Sequence, residues 1–236
     1  MSEKDFLKAL KEIGIELSKE QKKAFKKYAD FLLQYNTHTN LTAIKTLEDV
    51  YLLHFYDSIL MCKYYDIRGK SVLDIGSGAG FPGVPLKICF PDIELCVLDS
   101  NGKKTKFLEE LKVVLDLKYT VINERAEKYI LEKREQFDVV VSRAVTAMPV
   151  LAELSLPFVI VGGSFIPYKG MLDATLENGK GAIEMLGGDV TRVVETILPI
   201  KNATRTFVFV DKKCQTPKEF PRSFDKISKK PLQKLK

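Results

Sequence analysis

Residues 71–83 read SVLDIGSGAGFPG. An apolar run, Val72 to Ile75, enters a loop that holds Gly76, Gly78, Gly80 and Gly83. Residues without a Cβ at this density let backbone approach a ligand closely, and Gly76 or Gly78 can supply positive φ. Gly78 to Gly83 alone satisfies GxGxxG, the pyrophosphate-cradling pattern, with Asp99 nineteen residues after Gly80 as its ribose acid. Asp74, two residues before Gly76, argues against a pyrophosphate, because a carboxylate at the mouth of the cradle repels it. It suits a ligand whose nearby group is cationic. S-adenosylmethionine carries an ammonium and a sulfonium and no phosphate, so Asp74, Gly76, Gly78 and Gly80 are read as its loop.

Further candidates follow at the ends of β-rich runs. Asp99 and Ser100 close CVLDS; the Asp99 carboxylate either accepts from both ribose hydroxyls or caps a helix over 101–117. In the run Asn123 to Glu127, Ala126 is small enough for a flat base. Glu127 either reads the exocyclic edge of an adenine or begins a solvated helix. Arg143 ends FDVVVSR, as a clamp on ligand or target nucleotide or as the partner of Asp138 or Glu127. Lys169, in PYKG, is placed to touch phosphate at the pocket edge, and Arg143 and Lys169 are the residues assigned to catalysis. His54 and Asp57 are three apart; a structural hydrogen bond is their default and lining the substrate entry their alternative, and capping is the default for Asn40 and Thr42. Two histidines and cysteines without a CxxC pair give no metal site.

The elements that must position these groups alternate. Helical spacing covers 4–14, 18–36 (with Ser18 as N-cap and Gln21 three residues on) and 47–65. Pro82 suits the first turn of a helix after the glycines. From Ser71, strands at 72–75, 94–99, 119–122, 137–143 and within 156–170 alternate with helices such as 103–117, the pattern of a mostly parallel sheet covered on both faces. Two last strands, 190–200 and 205–212, are joined so briefly that they must pair as an antiparallel hairpin. The expected divisions are an N-terminal helical extension, 1–67, a core, 68–211, and a basic tail, 212–236.

Apolar residues make up 45% of the 236, enough for a sizeable core. No run is long enough for a membrane span, and the start does not read as a signal peptide, so a cytoplasmic protein with reduced cysteines is expected. Charge is uneven: the net is +6, yet the nine Lys/Arg and two acids from Lys212 onward already give +7. The tail is therefore either a solvated end or a polyanion-binding arm.

GSGAGFPGVPL, CVLDSNGKKTKFLEEL, FDVVVSRAVTAMPVL and the upstream NLTAI…HFYDSIL stand in one order. Together they resemble the methyltransferase G family of the bacterial small ribosomal subunit, also called glucose-inhibited division protein B. The resemblance runs from about residue 5 to the tail. It departs at Thr39, where the family usually has an aromatic or similar residue, and at Pro221-Arg-Ser-Phe-Asp in the tail. It implies an α/β class I methyltransferase fold, a Rossmann-like seven-stranded sheet with an antiparallel last strand. It also implies S-adenosylmethionine as cofactor, held at Gly76, Phe81, Ala126, Glu127 and Arg143, and methyl transfer to N7 of a guanine in 16S rRNA. With rRNA as partner, the tail becomes an RNA arm whose Phe220 and Phe224 stack on unpaired bases. The rival readings are an NAD-dependent oxidoreductase and a non-catalytic RNA-binding assembly factor with a vestigial cofactor site.

Overall fold

The structure, a computed structural model, describes residues 1–143, 146–170 and 175–233, with the side chains of 175–178 outside the description. Ala144 and Val145, inside the fourth-strand motif, and Lys234 and Lys236 of the tail lie outside the described residues. The chain divides into two compact units, one of Met1–Lys70 with Gly76–Asn123, the other of Ser71–Ile75 with Glu124–Lys236. Seven strands form one sheet in the order β3-β2-β1-β4-β5-β7-β6.

In the first unit, α1 (Glu3–Glu12) and α2 (Lys19–Thr39) each begin on a serine whose hydroxyl and backbone exchange hydrogen bonds with the third helical residue. At α2 the Gln21 N–H donates to Ser18 Oγ (3.2 Å), and the Ser18 N–H donates to Gln21 Oε1 (2.7 Å), as the sequence predicts. Gln21 also donates from Nε2 to the carbonyls of Ile88 (2.7 Å) and Cys89 (3.1 Å). Those are the last carbonyls of α5 (Gly83–Cys89), the helix after the glycine loop, so one side chain starts α2 and ends α5.

The region expected as one helix over 47–65 is composite. It runs through α3 (Leu47–Asp49), a π-helical Val50–Tyr56, α4 (Asp57–Ile59) and a 3₁₀ turn, Leu60–Lys63. Asn40 does not cap this region; it ends α2 in the left-handed conformation (φ 49°), and Thr46 is the N-cap. The π turns carry Tyr51 and Phe55 into an aromatic cluster with Phe6 and Phe25, where the Phe6 and Phe25 rings meet edge-on at 5.2 Å. Each ring so buried contributes about 1.5–3 kcal/mol. β2 (Glu94–Leu98), α6 (Gly102–Leu115) and β3 (Thr120–Ile122) complete this unit, with β2 and β3 parallel.

In the second unit, β1 (Ser71–Ile75) pairs parallel with β4 (Phe137–Arg143). Their register is fixed at one end by Ser71, which gives Asp138 Oδ2 both its N–H (2.8 Å) and its hydroxyl (2.6 Å). α7 (Ala126–Lys133) and α8 (Met148–Ser155) flank β4 in sequence, and β5 (Val159–Lys169) follows a 3₁₀ turn. The pairing of β4 with β5 shifts between Phe137 and Val139, where a Cβ on Gly163 would lie 2.6 Å from the Asp138 carbonyl oxygen. Close backbone approach at this bulge explains the Gly162-Gly163 pair inside a strand. After α9 (Thr175–Met185), β6 (Gly188–Leu198) and β7 (Ala203–Lys212) form the expected antiparallel hairpin. β7 pairs antiparallel with β5 as well, so the last strand enters between its two predecessors. α10 (Phe224–Lys229) lies within the tail.

Candidate active site

The first unit holds Gly76, Gly78, Gly80, Phe81, Asp99 and Ser100, with the last two just beyond the end of β2. All three glycines have positive φ, at 70°, 62° and 96°. The N–H groups of Gly76 and Ser77 donate to Leu98 O (2.8 and 3.2 Å), and those of Gly80 and Phe81 to Ser77 O (2.9 and 2.8 Å). The Gly78 N–H donates to Asp99 Oδ2 at 3.0 Å. Five of the loop's donors are thus engaged within the protein, and one of them holds a carboxylate. A pyrophosphate cradle needs such N–H groups directed at the ligand. Five N–H groups of this loop are therefore not directed outward at an anion, and the Asp99 carboxylate lies against the loop as an acceptor.

Asp99 is buried, and Oδ1 accepts from the Asn101 N–H at 2.9 Å. The N-cap of α6 is Asn101, whose side chain accepts from the Lys103 N–H, so the capping reading of Asp99 does not hold. Each Asp99 oxygen has a lone pair left after its backbone bond, which is what hydroxyl donors require. Lys104 Nζ lies 3.7 Å from Oδ2. Asn123 Nδ2 donates to the Asp99 carbonyl (3.1 Å) and fixes the backbone there; Ser100 is exposed.

The glycines are not equivalent. A Cβ on Gly78 would meet nothing nearer than the Gly76 carbonyl oxygen at 4.0 Å. A Cβ on Gly80 would lie 2.6 Å from Tyr28 Oη and 2.8 Å from Val84 Cγ2. Gly78 therefore leaves open space, and Gly80 gives way to α2. Pro82, expected in the first turn of α5, is its N-cap, with its carbonyl accepting from the Leu86 N–H.

Two residues position this loop: Tyr28, which the motifs did not single out, and His54, for which a structural hydrogen bond was expected. Tyr28 donates from its hydroxyl to the Ala79 carbonyl and stacks on Phe81 at 5.3 Å and 9°. His54 stacks on the same ring at 4.1 Å and 7°, and its Nε2 lies 2.9 Å from Thr42 Oγ1. Thr42 in turn exchanges backbone bonds with the Asn36 side chain (2.8 and 3.0 Å). The Asn-Leu-Thr segment thus buttresses His54, and His54 buttresses Phe81. Tyr28 was legible only as one more apolar residue at helical spacing.

The second unit holds Asp74, Ala126, Glu127, Arg143 and Lys169. Asp74 is fully buried near the end of β1. Ala126 begins α7 and packs on Val150, Leu154 and Ile227. Glu127 follows it, half-buried, 3.9 Å from Arg125 Nη1. Arg143 is the last residue of β4 and half-buried. Arg143 has interactions of its own within the protein; of the partners named as its alternative, Asp138 accepts from Ser71, and Glu127 lies near Arg125. Lys169 ends β5 and donates from Nζ to the Thr146 carbonyl at 2.6 Å. Among the described residues there is no group of three or more His, Cys, Asp or Glu able to hold a metal.

Residues 21–203 match the family described as rRNA small subunit methyltransferase G. Ribosomal RNA small subunit methyltransferase G of Bacillus cereus (strain B4264) is 42% identical over 239 aligned positions, which span 99% of this chain and all of the relative. Its counterpart in Bacillus thuringiensis (strain Al Hakam) matches to the same extent. The chain belongs to the rRNA small subunit methyltransferase G family. Members of this family are methyltransferases by description, and the fold agrees. TYW2 of M. jannaschii, solved in complex with AdoMet, superposes with a TM-score of 0.54 at 14% identity, over 66% of this chain and 74% of that one. The ribosomal protein L11 methylase of Lactobacillus delbrueckii subsp. bulgaricus gives 0.51 at 13%, over 72% and 81%. At such identities these two relate the fold alone; in this chain the glycine loop follows the end of β1 and Asp99 follows the end of β2.

Proposed function

We propose that this chain transfers the methyl group of S-adenosylmethionine to N7 of a guanine in 16S rRNA. The observation that carries the reading is the loop whose own N–H groups are engaged and whose Gly78 donates to the Asp99 carboxylate. That donor set disfavours a phosphate ligand and suits a ribose next to a cationic amino-acid part. Asp99 would accept from the ribose hydroxyls, and Asp74 would face the positive end. Ala126 and Glu127 would border the adenine, and Arg143 and Lys169 would steady the target nucleotide.

When bound, the cofactor supplies an electrophilic methyl on a sulfonium. Guanine N7 has a free lone pair at neutral pH, so no residue of this chain has to remove a proton. The contribution of the side chains is alignment of acceptor and donor in one line. Cysteine chemistry is not needed, and burial pushes the Cys62 and Cys89 thiols well up, away from the reactive thiolate. Among the described residues no helix is long and apolar enough to cross a membrane. The proposed rRNA substrate supports work in the cytoplasm.

The test is methyl transfer from labelled S-adenosylmethionine to 16S rRNA, followed by nucleoside analysis. The expected product is 7-methylguanosine. A methyl group on any other atom, or binding of NAD in place of S-adenosylmethionine, overturns the reading.

A further inference from the structure

We propose that the hollow on the tail lined by Arg222, Asp225, Lys226, Lys229 and Lys230, about 390 Å³ in volume, docks the sugar-phosphate backbone of the RNA substrate. The proposal rests on the reading of the chain as an RNA methyltransferase. It narrows the RNA contact from a basic tail to the short helix α10 and the residues that flank it.

The tail's cations fall into two kinds. Lys212 is buried; its Nζ donates to the Leu156 carbonyl and to Thr216 Oγ1 (both 2.7 Å) and pairs with Glu135 at 3.2 Å. Arg222 is held by the fully buried Glu153 through Nε (2.9 Å) and Nη2 (2.6 Å). These two charges are neutralised inside the fold. Phe220, expected to stack on bases, is buried, and its carbonyl accepts from Arg134 Nη1 at 2.7 Å. By contrast Lys226, Lys229 and Lys230 are exposed.

α10 explains why these three converge. Ile227 is fully buried against Val150 and Leu154, which fixes the rotation of the helix. With Ile227 inward, Lys226, Lys229 and Lys230, at spacings of three and four, line the hollow together. Like charges at that spacing repel; the helix C-terminus and the single carboxylate of the hollow, Asp225, offset part of this, and three lysine charges face one acid. A polyanion removes the conflict. Arg222, locked on Glu153, is a rigid wall, and the volume admits a nucleotide-sized group.

The helix also has a second connection. The Arg125 guanidinium lies over the Phe224 ring at 5.1 Å, and Ala126 packs on the cluster that contains Ile227. RNA held by the lysines is therefore fixed with respect to the start of α7, the turn assigned to the adenine.

The experiment uses the full chain and the triple variant Lys226→Glu, Lys229→Glu, Lys230→Glu, with the corresponding Gln variant as a milder form. All three positions are exposed, so folding is retained, with cofactor affinity and thermal unfolding as controls. Binding of a 16S rRNA fragment is measured over a salt series. The expected result is a slope of log affinity against log salt flatter by about 2–3, from roughly 0.7–0.9 for each phosphate that is no longer neutralised. KM for RNA should rise at least tenfold while kcat and cofactor affinity hold. An unchanged slope overturns the proposal, as does lysine-dependent binding of an acidic peptide in place of RNA. If the unaltered chain transfers no methyl group, the activity reading fails, and the salt slope still decides the hollow.

Discussion

The glycine loop and the basic tail are the two most conspicuous stretches of this sequence, and they translate into structure differently. In the loop, residue type dictates backbone conformation. Gly76, Gly78 and Gly80 take positive φ, and the Asp99 carboxylate closes on the Gly78 N–H. In the tail, residue type dictates only charge, and charge does not say where it will lie. Lys212 and Lys213 are neighbours, yet one is buried against Glu135 and the other stands in solvent with Asp211. A backbone constraint is local and legible, whereas the fate of a charge depends on which carboxylate the fold brings to it.

The largest expected effect breaks the tail apart internally. Lys212→Met leaves Glu135, the Leu156 carbonyl and Thr216 without their shared cation, and should cost about 3–5 kcal/mol of stability. Lys213→Met, one residue on, should stay within about 0.5 kcal/mol. Urea unfolding of both reads the difference directly; equal costs would mean that the tail behaves as a uniform solvated arm.

The next effect belongs to the loop. Asp99→Ala removes the acceptor proposed for two ribose hydroxyls, each hydrogen bond worth about 1.5–3 kcal/mol because the acceptor is charged. Cofactor affinity, followed by calorimetry, should fall by about a hundredfold or more while the fold persists. Unchanged affinity would return Asp99 to a purely structural role in holding Gly78 and Asn101.

Gly80→Ala and Gly78→Ala divide packing from approach. At Gly80 the methyl would meet Tyr28 and Val84, and overpacking costs about 1–3 kcal/mol in addition to the backbone strain. At Gly78 the methyl enters open space, so only strain of about 1–2 kcal/mol is expected. Cofactor affinity should nevertheless drop at Gly78, because the space there is assigned to the ligand. Thermal unfolding and cofactor titration of both variants separate the two.

The smallest effect tests the brace on the loop. Tyr28→Phe keeps the ring on Phe81 and deletes the bond to the Ala79 carbonyl, a loss of about 1 kcal/mol. KM for the cofactor should rise severalfold with kcat near normal. A change in stability alone, without one in KM, would limit Tyr28 to the core.

Much of the fold was legible. Short β-rich runs alternating with helical segments located the seven strands of the sheet, and the short link before 205 implied the antiparallel hairpin, because its length permits no crossover. The sequence also contained the chemistry of the loop: Asp74 ahead of Gly76, the glycines and Asp99 are each a local statement about backbone or charge. What it could not contain are contacts between residues distant in the chain. The position of β7 between β5 and β6, the π turns that bring His54 onto Phe81, and the Tyr28 hydroxyl on the Ala79 carbonyl all depend on packing. So does the division of the tail's cations into buried and exposed, since Glu153 and Glu135 are 69 and 77 residues from Arg222 and Lys212. Local types set what each segment can do; tertiary structure decided which partner each group met, because burial and pairing are properties of the assembled chain.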